Sequence, residues 1–274
     1  MFTGAHHVAI AVRNLDQALE FYQGVLGLRV GTRADVPEQG VLAALLPLPN
    51  GEIELLEPSN PSGGVAKFVE KRGEGAHHLC VQTTDIAEAI ERAKGAGLPL
   101  IDQAPRKGLA GTIGFLHPGA CQGVLVEMAQ PGETTGHAAP SADGVAAQAI
   151  QTIYIGVKEL EAAKAGYVKS FGAQVGPAAA DPRFGTNAVP VTIGGSSLTL
   201  LEAGALEAQP PAARFLSGRP EGLMGICLRV ADLDAALGHL RGCGIAVELR
   251  GEQNGGRVAR IDSDRTHGVN LYLC

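Results

Sequence analysis

Tryptophan is absent from the 274 residues, and aromatic residues reach only 4% of the chain. A surface that stacks successive bases needs more rings than this supplies, which argues against a single-strand nucleic-acid platform. Basic residues are outnumbered, with Lys plus Arg at 22 against Asp plus Glu at 28, and no basic run forms. That argues against a duplex-binding face and a polybasic membrane patch. No run of about 18 apolar residues occurs, so no segment reads as a bilayer-spanning helix. The opening Met-Phe-Thr-Gly-Ala-His-His lacks the charged-then-apolar order of a signal peptide. The five cysteines (Cys80, Cys121, Cys227, Cys243, Cys274) are odd in number and show no C-x-x-C spacing. They read as reduced thiols rather than as a disulfide or zinc framework. The expectation is a cytoplasmic protein that handles a small molecule, with neither a nucleic-acid nor a membrane partner.

What the chain does contain is repetition. At an offset of 145, Val12 falls on Val157, Tyr22 on Tyr167, Gly27 on Gly172 and Gly123-Val124 on Gly268-Val269. The offset drifts to 147 between these points, where Asp85 falls on Asp232 and Gly97 on Gly244. The small, polar, aperiodic segment 131–148 reads as a linker between duplicated halves. The sequence therefore predicts a module at 1–130, a linker at 131–148 and a second module at 149–274.

Each half again divides in two. Ala5–Val12 alternates as a strand, and 14–26 has helical spacing, with Asn14 placed to cap it. Strands are expected near 28–32, 41–47 and 52–57. The pattern restarts with a strand at 77–83 and a helix at 85–96, capped by Asp85 and ended by Gly97. Strands near Leu100, 112–116 and 123–129 follow. The order βαβββ, four times over, predicts an α+β fold of mixed sheets with helices on one face.

Four polar residues break the apolar pattern in matched places. His7 and His78 stand in the first strands of the two N-terminal repeats, and Glu54 and Glu127 in the last strands. In each strand they oppose the apolar face: His7 opposes Val8 and Ile10, and Glu127 opposes Val126 and Met128. Two imidazoles and two carboxylates directed into one concavity suit a borderline divalent ion such as Co2+, Zn2+, Ni2+ or Mn2+, with positions left for a chelating substrate. His6 and His77 fall on the opposite faces and are assigned to packing.

The βαβββ order with a first-strand His and a last-strand Glu resembles the vicinal oxygen chelate superfamily. Residues 5–130 are similar to the methylmalonyl-CoA epimerases. The likeness lies in His7-Val8-Ala9-Ile10-Ala11-Val12, in Ile53-Glu54-Leu55-Leu56-Glu57-Pro58 and in Glu70-Lys71-Arg72-Gly73-Glu74-Gly75 before His77-His78. It continues through Phe115-Leu116-His117-Pro118 and Gly123-Val124-Leu125-Val126-Glu127. The resemblance implies that His7, Glu54, His78 and Glu127 hold one metal ion, and that the substrate is an acyl-CoA whose C2 proton is removed and returned. It implies Glu127 as both ligand and base, with His117 a second catalytic candidate. Lys67, Lys71 and Arg72 beside the helix before His77, and Arg106 and Lys107 in the loop before the next strand, are candidates for binding the polyanionic CoA. Some epimerases carry a second acid/base Glu after Gln-Gly-Val, where this chain has Ala43. Many carry Lys after Phe-Leu-His-Pro, where it has Gly119. A glyoxalase-like isomerase is the second reading. A ring-cleaving dioxygenase and a drug-binding resistance protein rank lower, because the full two-His, two-Glu set fits neither.

In the second half the four positions become Thr152, Thr199, Gly225 and Tyr272, none of them a good ligand for such an ion. That half is expected to keep the fold without the chemistry, and to pack where single-module relatives use a second subunit. The chain is then a monomer with an internal pseudo-dimer, or a homodimer.

Overall fold

The computed structural model describes all residues except 133–138, 140–141, 203–220 and 252–255. Part of the expected linker, 133–138 and 140–141, thus lies outside the described residues.

Among the described residues, a short polar side chain ahead of an apolar-periodic run starts three α-helices. Asn14 Oδ1 accepts from the Gln17 N–H at 2.9 Å and opens α1 (Leu15–Tyr22). Asp85 does the same for Glu88 at the start of α3 (Ile86–Gly95), and Asp232 for Ala235 at the start of α5 (Leu233–Gly242). Each satisfies a backbone donor that the first turn leaves open. The duplicate of Asn14 is Glu159, which precedes α4 (Leu160–Phe171) and makes no such side-chain bond. Helix α2 (Gly64–Arg72) buries Val65 and Val69 and carries Lys71 and Arg72 in its last turn, where the helix dipole favours cations.

The first half contributes β1 (Phe2–Ala11), β2 (Thr32–Val36), β3 (Val41–Leu48), β4 (Gly51–Pro58), β5 (Gly75–Thr83), β6 (Arg106–Gly108), β7 (Gly111–Leu116) and β8 (Leu125–Gln130). They form one mixed sheet in the order β2-β3-β4-β1-β5-β8-β7-β6. The second half supplies β9 (Ala147–Val157), β10 (Gln174–Val175), β11 (Ala179–Asp181), β12 (Thr186–Ile193), β13 (Ser196–Glu202), β14 (Gly222–Val230), β15 (Val247–Arg250), β16 (Val258–Ile261) and β17 (Asn270–Leu273). Its sheet repeats the same order as β10-β12-β13-β9-β14-β17-β16-β15, with β11 added on β12. In every repeat the first strand runs parallel to the last, β1 with β4, β5 with β8, β9 with β13 and β14 with β17. The other neighbours within a repeat are antiparallel.

Four expectations shift. The helix expected over 14–26 stops at Tyr22, because Val25 and Leu26 both donate to the Phe21 carbonyl and fold the chain into a turn at Gly27. Leu28 donates to Tyr22 in that same turn, so the next strand begins only at Thr32. The strand near Leu100 is a single bridge to Leu116. Arg106 and Lys107 lie in β6 rather than in a loop, since Gly108 and Gly111 turn the chain tightly back along β7.

The chain forms two compact units that do not follow its halves. One comprises Met1–His6, His78–Thr135 and Thr152–Met224, and the other His7–His77, Gly136–Gln151 and Gly225–Cys274. Each unit therefore joins a repeat from the first half to one from the second. In the first unit, Ala5 donates to Ser196 Oγ, Gly195 to the Thr3 carbonyl, and Ser170 Oγ to the Ala120 carbonyl. In the second, the Tyr22 hydroxyl donates to the Thr266 carbonyl, and His267 Nδ1 lies 3.1 Å from Glu74 Oε2.

The tightest of these joints is built on duplicated glycines. A Cβ on Gly123 (φ +76°) would lie 1.8 Å from the Glu221 carbonyl oxygen, and one on Gly268 (φ +76°) 2.1 Å from that of Glu74. Gly172 also has positive φ (+61°) but meets nothing within 4 Å. Gly123→Ala and Gly268→Ala are expected to destabilise well beyond the roughly 1 kcal/mol of backbone strain that Gly172→Ala costs. Urea unfolding of the three variants checks this; equal losses in all three would contradict the close approach.

Candidate metal and substrate site

Strand alternation sends Ile53 and Leu55 of β4 to one face, where both are fully buried, and Glu52 and Glu54 to the other. β1 lies parallel to β4 with His7 opposite Glu52 and Ala9 opposite Glu54. His7 and Glu54 therefore share a face, and the His7 Nε2 is 3.3 Å from Glu54 Oε2. The second repeat reproduces this offset. Cys80 of β5 is opposite Glu127 of β8, His78 stands two residues earlier, and His78 Nε2 is 4.0 Å from Glu127 Oε2. All four side chains are buried, at 2–4% exposure. A solvated carboxylate is thereby ruled out, and buried ionisable groups call for partners or a metal. Each compact unit thus holds one of the two expected His–Glu pairs, and the two pairs have the same strand offset.

Glu127 stands opposite Cys80 of β5 and Phe115 of β7, both members of a buried apolar cluster with Ile113 and Ala129. Burial pushes the Glu127 carboxyl up to about 7, against the lowering effects of the Cys80 thiol hydrogen bond and the Arg106 charge, while Asp102 adds to the rise. Glu52 is likewise raised by burial. Phe115 stands opposite Glu127 in the β7–β8 register and sets its ring edge-on to His78 at 5.4 Å. The Arg106 guanidinium lies 5.4 Å over the Phe115 ring, and its Nε donates to Asp102 Oδ2 at 3.1 Å. The same Asp102 oxygen accepts from the Phe115 N–H at 3.0 Å.

Glu52 and Asp102 were not singled out from the sequence. Glu52 was detectable, since it alternates with Glu54. Asp102 lies in a loop and acquires its role only when β6 and β7 pair, so no local pattern marks it.

The other candidate catalytic and binding residues are less enclosed. His117 is exposed, and its Nδ1 accepts from the Gly119 N–H at 3.0 Å, capping a single 3-10 turn at Pro118–Ala120. Lys67, Lys71 and Arg72 are exposed on α2, with the Arg72 guanidinium 5.7 Å over the Phe68 ring. Lys107 is exposed in β6 and Arg106 is partly buried. His77 packs edge-on to Phe68, and burial, helped by Arg72, lowers it to about 4. His6 is buried.

The second half fills the same places with groups that do not bind such an ion. The Thr152 and Thr199 hydroxyls hydrogen-bond to each other at 3.0 Å, where the first half has His7 and Glu54. A side chain at Gly225 would collide with the Asn270 carbonyl, only 2.0 Å from a Cβ placed there, and Tyr272 is fully buried.

The sequence model of the Glyoxalase/Bleomycin resistance protein/Dioxygenase superfamily matches residues 6–115 and again residues 151–260. The chain belongs to this superfamily and carries its module twice. The chain is 41% identical over 128 residues to the ethylmalonyl-CoA/methylmalonyl-CoA epimerase of Cereibacter sphaeroides, a span of 46% of this chain and 96% of that protein. It is 37% identical over 127 residues to the mitochondrial methylmalonyl-CoA epimerase of Bos taurus, covering 46% of this chain and 73% of that one. Over nearly the whole length, a mutant 4-hydroxymandelate synthase from Streptomyces coelicolor shares the fold, with a TM-score of 0.73 at 15% identity. That match covers 99% of this chain and 91% of the synthase. No helix among the described residues is long and apolar enough to cross a membrane.

Asp102 holds two donors beside this site. Asp102→Ala leaves the Phe115 N–H without its carboxylate acceptor and is expected to cost about 1–3 kcal/mol in urea unfolding. Asp102→Asn keeps an acceptor oxygen and should cost less; a larger loss for Asn than for Ala would contradict the assignment.

Proposed function

We propose that this protein is an enzyme that epimerises methylmalonyl-CoA, or a related 2-acyl-CoA, with one divalent metal ion held by His7, Glu54, His78 and Glu127. The observation that carries the reading is the pair of buried His–Glu contacts, repeated in the half of the chain that resembles the epimerases and replaced in the other. In support, His7, Glu54 and His78 count among the buried donor groups suited to an ion. Two imidazole nitrogens with carboxylate oxygens fit Co2+, Zn2+, Ni2+ or Mn2+. When bound, such an ion supplies fixed positive charge where negative charge develops on the substrate oxygens.

The chain's own residues do the rest. Glu127 takes the C2 proton and holds it beside the substrate. Ala43 is fully buried and stands opposite Leu56, so no acid occupies that position. The proton returns from Glu127, from water, or from His117, whose second ring nitrogen is not engaged by Gly119. Lys67, Lys71, Arg72, Arg106 and Lys107 are the cations assigned to the CoA portion. Residues 1–130 form the chemical module, 131–148 the linker, and 149–274 a module kept for packing, its ligand positions closed by Thr152, Thr199, Gly225 and Tyr272.

Elemental analysis of the purified full chain should give about one equivalent of divalent metal, lost in His78→Ala. Two equivalents would contradict a metal-free second half. In heavy water, metal-loaded protein should exchange the C2 hydrogen of methylmalonyl-CoA, read by NMR, and Glu127→Gln should abolish that exchange. If the C2 proton is untouched while a hemithioacetal is turned over, the glyoxalase-like reading replaces this one.

A further inference from the structure

Arg106 is built differently from the other cations near the site. Lys67, Lys71, Arg72 and Lys107 are exposed. Arg106 is partly buried and fixed from two sides: its Nε donates to Asp102, and its guanidinium plane lies over the Phe115 ring. Phe115 is itself tied to Asp102 through its backbone N–H, stands opposite Glu127 and touches the His78 ring. A guanidinium held in this way has already lost much of its rotamer freedom, so little more is lost when it binds a ligand. Its Nε is engaged, and among the described residues no acceptor takes its two Nη groups. They present parallel donors of the kind that bind a carboxylate bidentately.

We propose that Arg106 is the specificity-determining residue of the site, receiving the free carboxylate of a carboxylated acyl thioester through its Nη groups. This rests on the acyl-CoA reading above and reassigns Arg106 from the phosphates of CoA to the acyl head. The reason is position. Arg106 is anchored on the residue that faces both Glu127 and His78, at the reacting end of the substrate. The CoA diphosphate lies a whole pantetheine arm away from that end. A carboxylate has lone pairs enough to accept from Arg106 while an oxygen is engaged elsewhere. The buried Glu54 and Glu127 would otherwise repel such a substrate, and Arg106 offsets this. A neutral acyl thioester has no group to offer, which leaves the fork without a partner and lowers its affinity.

Calorimetric titration of the full chain with Co2+ present, using methylmalonyl-CoA and propionyl-CoA, tests this. The native protein should favour methylmalonyl-CoA by about tenfold or more. Arg106→Gln should bring the ratio close to one while still binding propionyl-CoA, which also shows that it is folded. Arg106→Lys, charged but without the fork, should give an intermediate ratio and serves if the Gln variant does not fold. Lys107→Gln should weaken both ligands by the same factor. If an Arg106 variant keeps the native ratio, or the native protein shows no preference, the proposal is overturned and the acyl-CoA reading stands. If the native protein binds neither thioester, that reading falls and this proposal with it.

Discussion

Everything distinctive about this chain follows from placing carboxylates where water does not reach. Glu54 and Glu127 are almost wholly enclosed, each beside an imidazole that is equally enclosed. An isolated carboxylate in such surroundings is costly, and the cost is met by neutralisation, by a partner or by a cation. The rise of Glu127 toward neutral pH is the first of these, and the adjacent histidines are the second. A metal ion would be the third, and it gives a reason to keep four ionisable groups in strands whose other positions are apolar.

The fold makes this arrangement inexpensive to position. Parallel pairing of first and last strands fixes His and Glu in one diagonal offset, and the same offset appears in both N-terminal repeats. The apolar side of each strand is left to the helices, so the polar side needs no further support from the core. In the second half the strands pair in the same order, yet hydroxyls, a glycine and a tyrosine occupy the corresponding positions. Scaffold and site residues are therefore separable: one copy carries the buried His and Glu side chains, the other the same strand order without them.

Duplication also shapes how the repeats combine. Each compact unit draws one repeat from each half, and the closest approaches fall at duplicated glycines against duplicated glutamate carbonyls. These contacts restrict the second half to sequences that keep positive φ and no side chain at Gly268. Of the positions that match His7, Glu54, His78 and Glu127, Gly225 is restricted in the same way, whereas Thr152, Thr199 and Tyr272 hold side chains.

The sequence by itself determined what depends on local periodicity and repetition. The four βαβββ repeats, the caps at Asn14 and Asp85, and the opposition of His7, Glu54, His78 and Glu127 to apolar faces were all legible, because period two and a capping residue act within a few neighbours. Tertiary structure decided the rest. The first helix ends at Tyr22 because the following residues are drawn into a turn, and Arg106 lies in a strand because β7 is there to pair with it. The role of Asp102 exists only once Arg106 and Phe115 converge on it. The grouping of repeats into units across the halves is likewise a matter of long-range packing, in which residues distant in sequence exclude water together, and no local pattern encodes that.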